Sequence, residues 1–213
     1  MKKKVVIIDY GPGNLRSVCN AISVLGICEE IVVSNNVKEM DSASHIILPG
    51  VGAFADCMNG IKAKEGLLEE IKKQALEIKK PFLGICAGMQ ILTDVGYEKG
   101  VTDGLGLIKG EVRPITEARD FDKNEYKIPQ IGWNNLRILQ GHSIFEDIGE
   151  SEDVYFANSY RFVVDDRESL LSATDYGCEV AAIVAKDNIL GIQFHPEKSG
   201  EVGLKFLRNF ILN

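Results

Sequence analysis

The sequence alternates between short, continuous apolar runs and longer segments whose apolar residues recur at helical spacing. The runs KVVIIDY, EEIVVS, HIILPG, PFLGI and NILGIQF are typical of strands. The segment NLRSVCNAISVLG has apolar residues at 15, 18, 21, 22 and 25 and ends at Gly26, as an amphipathic helix does. Since buried strands that alternate with helices form parallel sheets covered on both faces, we predict an α/β fold with a mainly parallel central sheet.

The middle of the chain departs from this alternation. GLIKGEVRPI, IGWNNLRIL and DVYFANSYRFVV are typical of mixed or antiparallel strands, and the polar segment TEARDFDKNEYK predicts a surface loop. LLEEIKKQALEIKK and EVGLKFLRNFIL predict amphipathic helices, and MQILTDVG predicts the start of another. Because no repeat or linker interrupts the pattern, we predict one domain over residues 1–213.

Composition narrows the functional classes. The net charge of -7 argues against nucleic acid as the main ligand. The basic start MKKK precedes an apolar run from Val5 to Ile8 that is too short for a secretory signal, and no segment approaches the ~18 apolar residues of a membrane span. The 5 cysteines form no C-x-x-C pair, which favours free thiols in the cytoplasm over a zinc site. We therefore expect a cytoplasmic protein with no cofactor and no membrane partner.

The pentapeptide GICAG, residues 84–88, has the spacing of a strand-to-helix turn that carries a nucleophile. Such a turn holds the nucleophile, here Cys86, in a strained conformation, and its flanking glycines avoid collisions with neighbouring elements. The thiol would project from the carboxyl end of a central strand, at a helix start that favours the thiolate. The N–H of Ala87 would point towards a developing oxyanion. A buried structural cysteine is the alternative, so the pattern needs a partner base.

His195 is the candidate base. It follows the apolar run NILGIQF and therefore lies at the carboxyl end of a strand, as Cys86 does. Glu197 comes two residues later, where a carboxylate can orient the imidazole. His45 begins a predicted strand and is expected to be structural, whereas His142 lies in a predicted turn and is expected to be solvated. Cysteine, histidine and glutamate together predict a thiol acyl-transfer enzyme, in an order that differs from the nucleophile, acid, histidine order of α/β-hydrolases.

The motifs that carry these residues also resemble those of a known family. PFLGICAGMQIL and GIQFHPEKSG resemble the class I (triad-type) glutamine amidotransferases. More narrowly, IIDYGPGNLRSV, LPGVGAF, PQIGWN and YFANSY are similar to the glutaminase subunits of imidazole glycerol phosphate synthases. The resemblance runs from the first strand to the final helix and implies the single-domain class I glutamine amidotransferase fold.

The resemblance implies roles for named positions. Cys86 would attack the side-chain amide of L-glutamine, His195 would act as base and then as acid to the leaving ammonia, and Glu197 would orient His195. A glutamyl thioester would form and be hydrolysed to glutamate. The oxyanion would be bound by Ala87 N–H and by the backbone of residues 49–52, where glycines allow a peptide to turn over. The implied substrate-binding positions are Gly50, Val51, Gly52, Ala87, Gln90, Glu98, Ser159 and Tyr160. Of these, Glu98 would pair with the α-ammonium group.

The resemblance also implies a heterodimer with a (β/α)8-barrel synthase that receives the ammonia. The implied interface positions are Asn14, Trp133, Tyr155 and Lys198. Trp133 is the only tryptophan and is equally consistent with a core anchor. The segment GPGNLR does not predict a dinucleotide loop, because Arg16 stands in the place of the third glycine.

Three positions depart from the family pattern. Gln130 and Asn158 stand where the family usually has histidine, and Ala87 stands where it usually has leucine. The first two leave the identity of the synthase open. The leading hypothesis is the glutaminase of histidine biosynthesis. The alternatives are a paralogous glutaminase that serves another synthase, such as a sugar amidotransferase of surface-polysaccharide synthesis, and a catalytically silent subunit that only activates its partner, which the intact triad argues against.

Overall fold

The computed structural model describes residues 3–213, so the first two residues of the basic start lie outside the described residues. The helices within this range are α1 (Leu15–Leu25), α2 (Val37–Ser42), α3 (Phe54–Lys62), α4 (Leu67–Lys72), α5 (Ala87–Gln90) and α6 (Gly200–Leu212). The strands are β1 (Lys4–Ile8), β2 (Glu30–Ser34), β3 (His45–Gly50), β4 (Phe82–Cys86), β5 (Val95–Gly96), β6 (Thr102–Asp103), β7 (Gly110–Pro114), β8 (Gln130–Asn135), β9 (Arg137–Ile138), β10 (Asp153–Asn158), β11 (Tyr160–Val164), β12 (Leu170–Asp175), β13 (Glu179–Lys186) and β14 (Ile189–Ile192). None of the helices in residues 3–213 has the length and apolar character needed to cross a bilayer.

The central sheet has 8 strands in the order β2-β1-β3-β4-β14-β13-β12-β9. Neighbouring strands from β2 to β14 run parallel, and the strands from β13 to β9 are antiparallel to their neighbours. The prediction of a mainly parallel central sheet is therefore confirmed. Because β3, β4 and β14 are adjacent and parallel, their carboxyl ends meet at one edge.

Apolar side chains cover both faces of this sheet, as its continuous apolar strands predicted. Along β1, Val5 and Ile7 contribute to one buried cluster, which includes Phe206 of α6. Val6 and Ile8 contribute to the cluster on the opposite face, which includes residues of α3 and α4. The alternation along one strand thus places a helical layer on each side.

The middle segments form two smaller sheets, one antiparallel and one mixed, as expected, and β5 runs parallel to β7 in the mixed sheet. One sheet pairs β10 with β8, and the other has the order β11-β7-β5-β6. Strand β10 ends at Asn158 and β11 begins at Tyr160, so the chain turns between the two sheets at Ser159.

The helix predicted from MQILTDVG differs from the observed structure. The helix α5 ends at Gln90 because a following loop takes up the next main-chain carbonyls. The N–H of Leu105 donates to the carbonyl of Ile91, and that of Leu107 donates to Leu92, each at 2.8 Å. The segment LLEEIKKQALEIKK is also not one continuous α-helix as predicted. The α-helix α4 ends at Lys72, and the chain continues as a π-helical turn over Lys73–Glu77.

Candidate active site

Cys86 is the last residue of β4 and immediately precedes α5. Its backbone has φ 55° and ψ -116°, a conformation that residues other than glycine rarely adopt. A β-carbon on Gly84 would lie 2.6 Å from the carbonyl oxygen of Gly88, and one on Gly88 would overlap the carbonyl oxygen of Leu48. The glycines are therefore required by the close approach of β4, α5 and β3, as the sequence predicted.

Gly50 lies beside Cys86 on the neighbouring strand β3, in register with it. A β-carbon on Gly50 would lie 2.8 Å from the hydroxyl oxygen of Tyr10 and would overlap the backbone nitrogen of Gly88. The next residues, Val51 and Gly52, extend past the end of β3, and Gly52 has φ +87°. The segment predicted to bind an oxyanion thus lies against the start of α5 at Gly50.

His195 is held at the same edge by main-chain hydrogen bonds. Its N–H donates to the carbonyl of Tyr155 at 2.9 Å, and the Ser199 hydroxyl donates to the His195 carbonyl at 2.7 Å. Its ring Nδ1 donates to Oε1 of Glu197 at 2.8 Å, which leaves Nε2 for the thiol. Glu197 belongs to a single 3-10 turn, Pro196–Lys198, and its side chain is completely buried.

The charges of this cluster stabilise one another. Burial acts to lower the pKa of His195, but the hydrogen bonds and charges of Cys86 and Glu197 outweigh burial and raise this pKa to about 9. Burial acts to raise the pKa of Glu197, but the hydrogen bond and charge of His195, together with the amide of Asn14, hold this pKa below its usual value. An imidazolium next to a carboxylate is therefore favoured at neutral pH.

A cavity of about 350 Å³ opens in front of Cys86 and His195. The predicted site residues that line it are Val51, Gly52, Cys86, Ala87, Gln90, Glu98, Ser159, Tyr160, His195 and Lys198. The remaining predicted residues are outside the lining, with Glu197 behind His195 and Gly50 buried beneath the loop. Asn14, Trp133 and Tyr155 are also outside the lining.

Glu98 and Tyr160 contribute a charged and a polar group to the cavity lining. Glu98 accepts a hydrogen bond from the N–H of Phe54 at 2.7 Å through one oxygen, so it stabilises the start of α3 while it lines the cavity. Burial, with the charge of Glu98, raises the pKa of Tyr160. The Tyr160 hydroxyl is therefore a neutral donor at physiological pH.

Asn14 was assigned to a partner interface, but its side chain has a contact within the site. Its amide nitrogen donates to Oε1 of Glu197 at 3.0 Å, the same oxygen that His195 binds. The sequence did not indicate this contact, because 183 residues separate Asn14 from Glu197.

Trp133 is 56% exposed, so the interpretation as a core anchor is wrong. Its ring contacts that of Tyr155 edge to face, with centroids 6.0 Å apart, and the ammonium of Lys198 lies 5.7 Å from the Tyr155 ring. Ile131, also on β8, is 62% exposed. Ile131, Trp133, Tyr155 and Lys198 form what we call the β8–β10 surface. Because Tyr155 also binds the backbone of His195, this surface is directly connected to the site.

Two of the three positions that depart from the family pattern, Gln130 and Asn158, contact each other. The Asn158 amide nitrogen donates to Oε1 of Gln130 at 3.2 Å, and both side chains are buried. Asn158 also lines the cavity, which the sequence analysis did not predict. A second missed residue is Gln193, whose amide nitrogen lies 3.8 Å from the sulfur of Cys86.

The other histidines lie away from the cavity. His45 is buried, bonds to the Ser44 hydroxyl through Nδ1 and contacts Phe210 edge to face, in line with the expected structural position. His142 is half-buried and accepts a hydrogen bond from the N–H of Ile144, so only part of its side chain is solvated. Within residues 3–213, no group of three or more histidine, cysteine or acidic side chains is arranged to hold a metal ion.

Comparison with known proteins gives consistent matches. The family model for glutamine amidotransferase class-I matches residues 6–213. The imidazole glycerol phosphate synthase subunit HisH of Brucella melitensis is 44% identical over 215 residues, which cover 98% of this chain and 98% of that protein. The protein of the same name from Zymomonas mobilis is 47% identical over 208 residues, with 97% of this chain and 94% of the relative covered.

Solved structures share the fold. The structure of PurLQS from Thermotoga maritima aligns with a TM-score of 0.72 at 23% identity, covering 100% of this chain and 99% of that chain. A glutamine amidotransferase of the same organism aligns with a TM-score of 0.60 at 15% identity, covering 99% of this chain and 83% of the other. At these identities the likeness concerns the fold alone.

Proposed function

The chain belongs to the class-I glutamine amidotransferases, and on that premise we propose that it is the glutaminase subunit of an imidazole glycerol phosphate synthase in histidine biosynthesis. It hydrolyses L-glutamine to L-glutamate and ammonia. The observation that carries the proposal is the meeting of Cys86 and His195 at one wall of a cavity, with Glu197 bound behind His195. Relatives that match over nearly their whole length have this name, which favours histidine biosynthesis over the two alternatives.

Acylation is the first half of the proposed reaction. The sulfur of Cys86 attacks the side-chain amide carbon of glutamine, while His195 holds the thiol proton. The carbon–nitrogen bond breaks as His195 donates this proton to the leaving nitrogen, and ammonia departs. The product is a glutamyl thioester on Cys86. Glu197 orients the ring and stabilises its charged form, which the raised pKa of His195 supports.

Hydrolysis of the thioester is the second half. Water attacks the thioester carbon and gives a proton to His195. The carbon–sulfur bond then breaks, glutamate leaves and Cys86 is restored. In both halves a tetrahedral oxyanion forms, and we assign its binding to the N–H of Ala87 and the backbone of Gly50, Val51 and Gly52. Each oxyanion donor lowers the activation barrier by about 2.7–4 kcal/mol, so the orientation of one peptide in this segment is enough to control turnover.

We assign recognition of glutamine to polar residues that line the cavity together with Cys86 and His195. Gln90, Glu98, Ser159 and Tyr160 all line the cavity, which supports this assignment. The free carboxylate oxygen of Glu98 pairs with the α-ammonium group of the substrate. Its other oxygen is bound to the start of α3, which fixes the carboxylate in place.

We propose that a (β/α)8-barrel synthase binds the β8–β10 surface, with Asn14 at its margin, and receives the ammonia before water protonates it. Exposed aromatic and aliphatic side chains at Trp133 and Ile131 support this surface as the interface.

We assign residues 1–213 to one domain, supported by the family match over residues 6–213. A cytoplasmic location is supported by the free state of all five cysteines.

The test is glutamate release from L-glutamine by the purified chain, alone and with the synthase subunit and its nucleotide ligand. We expect release that the synthase stimulates. Release only with a different ammonia-using synthase would support the paralogous alternative. No release with any partner would support the silent activating subunit and overturn the proposal.

A further inference from the structure

Gln193 immediately follows β14 and lies beside the nucleophile. The strands β14 and β4 are parallel, with Gly191 next to Gly84 and Ile192 next to Ile85. The next step of this register places Gln193 beside Cys86. The side chain of Gln193 is completely buried, and its amide nitrogen lies 3.8 Å from the Cys86 sulfur.

Neighbouring groups determine which end of the Gln193 amide faces the sulfur. The NH₂ group of Gln90 donates to the carbonyl of Tyr160 at 3.4 Å and to Oε1 of Gln193 at 3.0 Å. Because the Gln193 oxygen accepts this bond, its NH₂ group is the end directed at Cys86. The main chain is also fixed, since the N–H of Gln193 donates to the carbonyl of Ala182 at 2.9 Å.

An amide donor at this position affects one state of the thiol more than the other. Cys86 is 7% exposed, so water contributes little to the solvation of its thiolate. A hydrogen bond to a charged group is stronger than one to a neutral group, so a donor at the sulfur favours the thiolate over both the thiol and the thioester. The bond from Gln90 uses only the oxygen of the Gln193 amide, so it does not explain why an NH₂ group rather than an apolar group lies at the sulfur.

We propose that Gln193 is a fourth catalytic residue, which donates a hydrogen bond to the Cys86 thiolate. This inference rests on the proposed function, because it assumes that Cys86 is the nucleophile. The donor keeps the sulfur ionised before attack on glutamine. It also stabilises the thiolate that leaves when the thioester is hydrolysed. The Gln193 oxygen also holds Gln90, which lines the cavity, so the role of the NH₂ group is measured by kcat in a variant that keeps an acceptor for Gln90.

The experiment compares Gln193→Met and Gln193→Glu with the unmodified chain. Methionine keeps a similar volume without a donor, and glutamate keeps the shape but adds an acceptor. Gln74→Met is the matched control, because Gln74 is also completely buried but binds Asp41 and Glu70, away from the cavity. The readout is the rate at which iodoacetamide alkylates Cys86, followed from pH 5 to pH 10 by mass spectrometry of its peptide.

We expect Cys86 of Gln193→Met to be alkylated roughly 10-fold or more slowly at pH 7, with the profile displaced to higher pH and a larger effect for Gln193→Glu. In complex with the synthase, kcat for glutamine hydrolysis falls by a similar factor in both variants, and KM changes little in Gln193→Glu, whose carboxylate still accepts the hydrogen bond from Gln90. Gln74→Met leaves both readouts unchanged. Far-ultraviolet circular dichroism verifies that each variant is folded. If Gln193→Met does not fold, the alkylation profile of Gln193→Glu is compared with that of the unmodified chain.

An alkylation profile within about twofold of the unmodified chain in either folded Gln193 variant would overturn the inference. A lower kcat with an unchanged alkylation profile would overturn it too, because it would indicate a merely structural role. The alkylation rate does not depend on glutamine turnover. Failure of the proposed function would instead leave the unmodified chain inactive on glutamine, whatever the Gln193 variants do to alkylation.

Discussion

Nδ1 of His195 donates a 2.8 Å hydrogen bond to Oε1 of Glu197, a carboxylate whose side chain has no solvent exposure. Buried carboxylates are stable only when paired, and the partners of this one are His195 and Asn14. The pair therefore fixes both the orientation and the charge of the imidazole next to Cys86. Substitutions at either residue should change activity in directions that can be stated.

Replacement of Glu197 by glutamine should slow glutamine hydrolysis by at least about 10-fold. The neutral amide keeps the shape of the side chain but no longer stabilises the charged ring, so the pKa of His195 falls from about 9 towards its usual value. The measurement is a titration of the His195 ring by NMR together with kcat in the synthase complex. An unchanged His195 pKa in a folded Glu197→Gln variant would contradict the assignment of Glu197.

Stability should depend on pH through the same histidine. Because the pKa of His195 is raised above its usual 6.5, its contribution to the free energy of unfolding is fully present below about pH 6.5 and is lost as pH rises towards 9. The difference in this free energy between the unmodified chain and His195→Asn should shrink over that window by up to roughly 3 kcal/mol. Urea denaturation at several pH values measures it, and a difference that grows with pH would contradict the stated sign.

The backbone at Cys86 should be strained in the folded state. Its φ of 55° favours glycine, so Cys86→Gly should be more stable than Cys86→Ala by about 1 kcal/mol, even though glycine has the more flexible unfolded state. Chemical denaturation of the two variants gives the comparison. Equal stability, or a more stable alanine variant, would show that the turn stores no strain at this residue.

Trp133 should contribute to partner binding rather than to folding. Its ring is 56% exposed, so Trp133→Ala should change the free energy of unfolding by less than about 1 kcal/mol. Binding to the synthase should weaken by at least about 30-fold, as expected for a central aromatic residue of an interface. Val24→Ala is the control, because Val24 is 75% exposed on α1 and lies outside the proposed interface. Calorimetric titration that gives both variants equal affinity would argue against this surface.

Much of the architecture followed from local patterns in the sequence. The apolar residues from Leu15 to Leu25 and the left-handed Gly26 gave α1 its observed bounds, because amphipathic spacing and a glycine stop are local signals. The extent of α5 could not be predicted in this way. It depends on hydrogen bonds from residues 105–108 to the carbonyls after Gln90, which are contacts between segments distant in the sequence.

The motifs that carry Cys86, His195 and Glu197 could also be identified from the local sequence. The glycines around Cys86 and the spacing of His195 and Glu197 were evident in the sequence, because each motif spans only a few consecutive residues. Gln193 was missed, although alternation along QFH places it on the same side as His195, with Phe194 packed among Phe156 and Phe206 on the other. Its relation to Cys86 becomes evident only when β14 is known to pair with β4.

The central claim is that the sulfur of Cys86 releases ammonia from glutamine for use by a separate synthase. It is tested most directly by synthase product formation in complexes with the unmodified chain and with Cys86→Ala, each supplied with L-glutamine or with an ammonium salt. We expect Cys86→Ala to reduce the glutamine-dependent rate by at least about 1,000-fold and to leave the ammonia-dependent rate within about twofold. A Cys86→Ala complex that still uses glutamine at a comparable rate, or that loses its ammonia-dependent activity as well, would contradict the account.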